Sequence, residues 1–124
     1  MAETATEAGF WLYDLRVETV LDGRTPVCRH IEGESFRVVG ETLVFEAGQK
    51  VSMYALAGLL PLLPAKQRDT NAADWMTTDA EIACPDPHCG GRFRIRRVGR
   101  RHFTNAQTTG RPEARGEPWW KDDK

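Results

Sequence analysis

Thiol and imidazole side chains occur in two short stretches of this sequence, and they constrain the fold more than any other feature. The first stretch is Cys28-x-His30, and the second is "CPDPHCGG", residues 84–91. Zinc takes four nitrogen or sulfur ligands in a tetrahedral arrangement, and a C-x4-C spacing lies within the range its sites use. The predicted ligands are Cys28, His30, Cys84 and Cys89, with His88 as the alternate imidazole.

Two other interpretations of these stretches remain open. The second stretch could be a buried turn that carries thiols without a metal, or a cysteine in it could be reactive. Reactivity has little support, since His88 adjoins Cys89 and neighbouring side chains diverge in extended chain, which places His88 poorly as a base. A dithiol redox centre would favour C-x-x-C at the start of a helix, and no helix is predicted here.

Composition sets the class of protein. The chain has 124 residues and a net charge of −1, which suits one small globular domain with a modest core. No apolar run approaches the roughly 18 residues of a membrane span, and the acidic, polar start is unlike a signal peptide. We therefore expect a cytoplasmic protein without membrane association, in which three cysteines stay reduced.

Alternating apolar and polar residues predict several short strands. A half-buried strand begins at Phe10, residues 34–46 form a hairpin around Gly40, and strands enter and leave the second cysteine stretch at 81–84 and 91–98. The predicted fold is α+β, with a small, mainly antiparallel sheet.

One apolar helix is predicted over residues 53–68. Ser52 would cap it, and Pro61 should end or kink it near Leu60. Its apolar residues surround the helix on nearly every side, so we expect the sheet or another protein to bury it. The predicted organisation is a disordered N-terminus at 1–9, one α+β domain at 10–103 and an extended partner-binding arm at 104–124.

Two surface features could bind partners. Arginines alternate along the last predicted strand, and they suit an acidic protein surface better than nucleic acid, because the pI is near 6.3. Two tryptophans near the C-terminus lie in a polar segment and resemble anchors that become ordered on a partner. The predicted partner-binding residues are Arg92, Arg94, Arg96, Trp119 and Trp120.

Two resemblances add to this interpretation. Residues 11–98, with Val27-Cys28-x-His30, Gly33-Glu34-x-Phe36 and Ile82-Ala-Cys84, resemble a family of small bacterial proteins of uncharacterised function. Residues 74–90, with Glu81-Ile-Ala-Cys84-x4-Cys89-Gly90 and the alternating strand that follows, are similar to the small gamma-type subunit of ATP-dependent ketone carboxylases, including the acetophenone carboxylase type. That family usually carries C-x-x-C-G, so the spacing here is longer.

The second resemblance implies a function. It implies a non-catalytic small subunit with structural zinc, packed against large catalytic subunits that hold ATP, a divalent metal and an aromatic ketone. The sequence agrees in carrying no glycine-rich phosphate loop and no paired-carboxylate pattern. The alternative from another class is a free-standing, zinc-ribbon-like protein that binds nucleic acid through the Arg92–Arg101 face.

Overall fold

A computed structural model describes residues 8–122 and confirms the predicted α+β class. One antiparallel sheet has the strand order β3-β2-β1-β5-β4. The strands are β1 (Gly9–Thr19), β2 (Ser35–Val39), β3 (Thr42–Val44), β4 (Glu81–Ala83) and β5 (Arg92–Thr104). The helices are α1 (Met53–Leu59), α2 (Leu63–Lys66), α3 (Trp75–Thr78) and α4 (Asn105–Thr108), and a 3₁₀ turn covers Pro112–Ala114.

The apolar and polar residues that alternate in the sequence lie on opposite faces of the sheet. The predicted hairpin forms as β2 and β3, with Val38 opposite Leu43, and Gly40 between them has φ 59°. On the other side of β2, Val38 also lies opposite Leu15 of β1. The apolar side chains of these strands therefore share one face, which packs on the core. The core comprises Leu15, Val17, Phe36, Val38, Ala55, Leu59, Leu63, Cys84, Cys89, Phe93 and Ile95.

The predicted helix over residues 53–68 is two short helices. Ser52 caps α1 as expected, since its Oγ accepts from the backbone N–H groups of Tyr54 and Ala55 at 3.2 and 3.4 Å. The chain leaves the helix at Leu59 and turns through Pro61, which lacks the N–H that a continuous helix would use. Ala55 and Leu59 of α1 are buried in the core, whereas Met53 and Tyr54 are exposed, and the burial of these two by another protein stays a prediction.

The described residues form two compact units. One contains residues 13–99, and the other contains residues 8–12 and 100–122. Of the predicted disordered N-terminus, residues 1–7 lie outside the described range and Gly9 already begins β1. The predicted arm is not extended throughout, because Gln107 Oε1 accepts from the backbone N–H of Thr104 at 2.8 Å and α4 begins there. Its partner-binding role stays a prediction.

Across residues 8–122, the helices are too short and too polar to span a bilayer.

Candidate metal centre

The second cysteine stretch is a turn between paired strands. β4 and β5 are antiparallel, with Ile82 opposite Phe93, and the backbone N–H of Cys84 continues their pairing by donating to the Gly91 carbonyl at 2.9 Å. The turn is held from inside by Asp86, whose Oδ1 accepts from the N–H of His88 and whose carbonyl accepts from the N–H of Cys89, both at 3.0 Å. This arrangement brings Cys84 and Cys89 to the same end of the hairpin.

The first stretch lies against this turn. Residues 20–34 connect β1 to β2, and within them the N–H of Cys28 donates to Cys89 Sγ at 3.3 Å. The N–H of Val27 donates to the Cys89 carbonyl at 3.3 Å, and Arg24 Nε donates to the Gly90 carbonyl at 3.0 Å. Backbone contacts therefore align the two cysteine segments independently of any ion.

The four residues predicted as ligands come together. Their ligand atoms all lie within 4.8 Å of one another, and the Sγ atoms of Cys28 and Cys84 are 3.9 Å apart. All three cysteines are free thiols. The predicted convergence is confirmed, and the identity of the ion stays a prediction. The cluster comprises Cys28, His30, Cys84 and Cys89 and is called the Cys3His cluster below.

His30 provides the clearest sign that this cluster could hold an ion. Its side chain is buried, and its Nε2 has no hydrogen-bond partner among the described residues. A buried nitrogen without a partner is costly, since it loses its water without replacement. The ring packs edge-on against Phe93, with centroids 5.0 Å apart. A metal bond to this nitrogen would satisfy it.

The spacing of the sulfurs also fits a tetrahedral ion. With Zn–S bonds of about 2.3 Å, two thiolates of a tetrahedral site lie about 3.8 Å apart. The Cys28–Cys84 separation of 3.9 Å matches this value. The three thiolates and the neutral imidazole form a donor set typical of structural zinc, so the residues present fit the ion that the sequence predicts.

The pKa values of the thiols show why the cluster favours a cation. Burial raises the pKa of Cys89, but hydrogen bonds from the backbone N–H groups of Cys28 and Gly91 outweigh it and bring the value to about 7. The pKa of Cys28 rises to about 12, first because it hydrogen-bonds to Cys89, then because of burial and its contact with Cys84. Three thiolates cannot coexist at this distance without a positive charge between them. Burial also lowers the pKa of His30, which keeps the imidazole neutral.

His88, the alternate imidazole, lies outside the cluster. Its side chain is exposed, and its backbone is fixed by the Asp86 turn. Because adjacent side chains point in different directions, a turn that buries Cys89 directs His88 to solvent. His30 is the imidazole of the cluster.

The predicted arginine surface is largely paired within the chain. Arg94 forms an ion pair with Glu81 at 2.9 Å, and Arg96 pairs with Glu18 of β1. Arg92 Nη1 donates to the Gly91 carbonyl at 2.9 Å. These contacts leave less unpaired positive charge than the sequence pattern indicates.

The two predicted tryptophan anchors differ in their surroundings. Trp119 packs edge-on against Phe103, with ring centroids 5.5 Å apart. Both residues belong to the unit that contains residues 8–12 and 100–122, so Trp119 contributes to the packing of that unit. Trp120 is 53% exposed. Of the two side chains, Trp120 is the one that is exposed enough to contact a partner.

The sequence interpretation missed two features near functional groups. A groove of about 410 Å³ opens beside Cys28 and is bordered by Arg29, Lys50, Met53 and Tyr54. Asp86 Oδ2 lies 3.9 Å from Cys28 Sγ. An acidic residue inside a cysteine turn was the available signal for the second feature, whereas the groove depends on how α1 packs and has no signal in the sequence.

Comparisons with protein-family models, with curated proteins and with solved structures find no significant match to this chain.

Proposed function

We propose that this chain is a zinc-stabilised, non-catalytic subunit of a larger enzyme complex. The observation that supports this proposal best is the Cys3His cluster with the unpartnered Nε2 of His30. Four protein ligands saturate a tetrahedral ion and leave no position for substrate or water, which is the pattern of structural rather than catalytic zinc.

The ion would link two parts of the chain that are distant in sequence. Cys28 and His30 belong to the β1–β2 connection, and Cys84 and Cys89 belong to the β4–β5 turn. A chain of this size has a small core, so a metal bond between its loops adds stability that apolar packing alone does not supply.

Exposed apolar side chains support a role as a subunit. In α1, Met53 is 71% exposed and Tyr54 is 63% exposed, and Leu60 follows at 45%. Trp120 in the other unit is also exposed. Large aromatic and methionine side chains are enriched where proteins bind one another. We expect large subunits of the complex to cover them.

The specific complex is an ATP-dependent carboxylase acting on an aromatic ketone of the acetophenone type. This part of the proposal rests on the resemblance carried by residues 74–90 and the strand that follows. In such a complex the large catalytic subunits would hold ATP, the divalent metal and the ketone, and the assembly would be cytoplasmic. This chain would contribute structure.

Affinity purification of the tagged chain from native extract tests the proposal. Large subunits should co-purify in fixed stoichiometry, and the complex should carboxylate the ketone only when ATP is present. Elemental analysis should give one zinc per chain. Less than about 0.2 equivalents of zinc with all three thiols titratable would reject the metal site, and a chain that purifies alone as a monomer would reject the subunit role.

Nucleic-acid binding through the Arg92–Arg101 face is the competing proposal, and the same preparation tests it. The ion pairs of Arg94 and Arg96 reduce the charge available for phosphates. Tight binding to RNA or DNA that weakens steeply with salt would favour this alternative.

A further inference from the structure

The three cysteines of the Cys3His cluster are not equivalent. Cys84 and Cys89 are buried, whereas Cys28 is partly exposed. The backbone N–H of Cys28 donates to Cys89 Sγ at 3.3 Å and stabilises the Cys89 thiolate. Within residues 8–122, no N–H group donates to Cys28 Sγ, and its recorded neighbours are the other thiols and the Asp86 carboxylate.

This difference in exposure and hydrogen bonding determines which sulfur reacts with an electrophile. With zinc bound all three sulfurs would be thiolates, so the raised pKa of free Cys28 does not decide the order of reaction. Hydrogen bonds to a thiolate then stabilise its negative charge and lower its tendency to attack an electrophile, and burial blocks access to it. Cys89 is protected in both ways. Cys28 lacks N–H donors, and the carboxylate oxygen of Asp86 at 3.9 Å keeps its electron density high.

Cys28 also faces open space. The groove of about 410 Å³ has Cys28 in its lining, with Met53 and Tyr54 along one side. The side chains of Arg29 and Lys50 border it, and Glu34 offsets one of these two charges by pairing with Arg29 at 3.0 Å. A small neutral electrophile can reach Cys28 Sγ through this groove, and the remaining positive charge favours departure of an anion.

We propose that Cys28 is the reactive thiolate of the centre, and that hydroperoxides oxidise it to a disulfide with Cys84 and so open the centre. This inference rests on the zinc site of the proposed function. It adds a modification site and a condition under which the site is lost.

The chemistry balances with hydrogen peroxide as the two-electron oxidant. The Cys28 thiolate attacks one peroxide oxygen, the O–O bond breaks and hydroxide leaves, and the transferred oxygen keeps its hydrogen, which gives a sulfenic acid. The Cys84 thiolate then attacks the Cys28 sulfur, an S–S bond forms and a second hydroxide leaves. Two thiolates are oxidised to one disulfide, and one peroxide is reduced to two hydroxides.

Cys84 is the resolving residue because its sulfur is 3.9 Å from that of Cys28 and is not stabilised by the N–H groups that hold Cys89. After oxidation, His30 and Cys89 are the two ligands that remain. Two ligands do not retain zinc against cellular chelators, so oxidation releases the ion and the link between the β1–β2 connection and the β4–β5 turn changes from a metal bond to a disulfide.

Peptide mapping of the zinc-loaded protein tests the order of reaction. Trypsin places Cys28 in peptide 25–29, and Cys84 and Cys89 in peptide 69–92. With limiting iodoacetamide, Cys28 should be alkylated at least about tenfold faster than either other cysteine, since each charge-assisted hydrogen bond to Cys89 slows its reaction by about that factor. Faster alkylation of Cys84 or Cys89 would overturn the inference.

Hydrogen peroxide then tests the oxidation. A chromogenic chelator should record one zinc released for each disulfide formed, and fragmentation of the cross-linked peptides should show Cys28 joined to Cys84. Zinc retention at a peroxide excess that oxidises free thiols, or a Cys84–Cys89 disulfide, would reject the mechanism. A protein that never binds zinc fails the proposed function as well, whereas a zinc-loaded protein inert to peroxide fails this inference alone.

Paired variants separate the attacking residue from the resolving residue. In Cys84→Ser, the sulfenic acid at Cys28 has lost its resolving thiol, so dimedone should label peptide 25–29 after peroxide treatment. In Cys28→Ser, dimedone should label neither tryptic peptide at the same dose. If either variant fails to fold, the mapping of the unmodified protein still decides the question.

Discussion

Gly91 and His30 contact each other so closely that only glycine fits at position 91. A Cβ built on Gly91 would lie 2.4 Å from His30 Cδ2 and 2.9 Å from Nε2. Real Cβ atoms do not approach other atoms this closely, so the imidazole would have to move. It cannot move freely, because the Phe93 ring packs against it at nearly a right angle. The orientation of the only imidazole in the Cys3His cluster therefore depends on residue 91 being a glycine, which has no side chain.

Gly91→Ala should displace His30 and lower the free energy of unfolding of the zinc-loaded protein by about 1–3 kcal/mol, the usual cost of overpacking. Urea denaturation measures this change. Gly99→Ala is the matched control, since a Cβ there meets only Asp14 Oδ2, at 3.8 Å. Equal stabilities of the two variants would contradict the close contact.

His30→Ala should reduce zinc affinity more than about 100-fold, because removing a direct ligand exceeds the loss seen for residues that only orient ligands. His88→Ala should leave affinity unchanged, since His88 is exposed and outside the cluster. Competition with a chelator of known affinity measures both. A loss of zinc affinity in His88→Ala would show that His88 is a ligand.

The sequence predicted which four residues converge because the spacing of its cysteines and histidines carries part of that information. C-x4-C lies within the zinc range, and the remaining cysteine had one histidine beside it. The choice between His30 and His88 depended on side-chain direction, which is set by the Asp86 turn and by the contact with Gly91. Neither contact is visible in composition or periodicity.

At the scale of elements, Lys66 joins α2 to α3. Its side chain is buried, and Nζ donates to the carbonyls of Met76 and Asp79 at 2.6 and 2.5 Å, at the end of α3. Cations stabilise helix ends because unpaired carbonyls point there. A helix of one turn has little stability of its own, so this contact fixes where α3 lies.

Lys66→Met keeps the volume but leaves two carbonyls without their donor. The free energy of unfolding should fall by about 1–3 kcal/mol, the usual effect of losing a charged hydrogen-bond donor to partly buried carbonyls. Lys50→Met is the matched control, because Lys50 is exposed, and it should change stability by less than about 0.5 kcal/mol. Chemical denaturation of both variants gives the comparison, and a neutral Lys66→Met would show that α3 is held by other contacts.

The pH dependence of the free energy of unfolding should reveal the lowered pKa of Lys66. Burial, and then the charge of Arg97, lower the pKa of Lys66. Between that lowered pKa and about 10.4 the unfolded chain binds more protons than the folded protein, so the free energy of unfolding contributed by Lys66 rises with pH. The difference in stability between the unmodified protein and Lys66→Met should therefore grow through this window. A constant difference would contradict the lowered pKa.

Strands were easier to predict than helices in this chain. A period of two appears in the sequence wherever one face is buried, so the hairpin at 34–46 and the strands around the cysteine turn were found. At 53–68, Pro61 correctly indicated that the first helix ends near Leu60, but the apolar residues could not show that a second helix, α2, follows the turn. Residues 69–79 are mostly polar and show no apolar period, yet Asp74 caps α3 there by accepting from the N–H of Met76 at 2.8 Å.

At the scale of the whole molecule, the ion should contribute a large share of stability. At free zinc about a thousand times the dissociation constant, binding to the folded state alone adds about 4 kcal/mol. Treatment with a strong chelator should lower the melting temperature accordingly, and zinc should restore it. The same treatment should lower the melting temperature of His30→Ala much less, because that variant binds zinc more weakly. A chelator that has no effect on the unmodified protein would exclude a structural ion.

Trp119 and Trp120 should differ in the assembled complex. Trp120→Ala should weaken capture of the large subunits by at least about tenfold while leaving the melting temperature unchanged, because an exposed aromatic anchor acts only on the partner. Trp119→Ala should lower stability, since it removes the packing against Phe103. Quantitative co-purification and thermal denaturation separate the two effects, and unchanged capture by Trp120→Ala would exclude it as an anchor.

The distance along the chain between the two ligand pairs has a consequence for synthesis. His30 and Cys84 are separated by nearly half of the sequence. During translation the first pair leaves the ribosome well before the second, and two ligands alone hold zinc weakly. Because chains grow at about 5–20 residues per second, the thiol of Cys28 is outside the ribosome for seconds before Cys84 and Cys89 emerge. In the proposed zinc protein, the ion would therefore bind late in synthesis, and binding would depend on the supply of free zinc when β5 emerges.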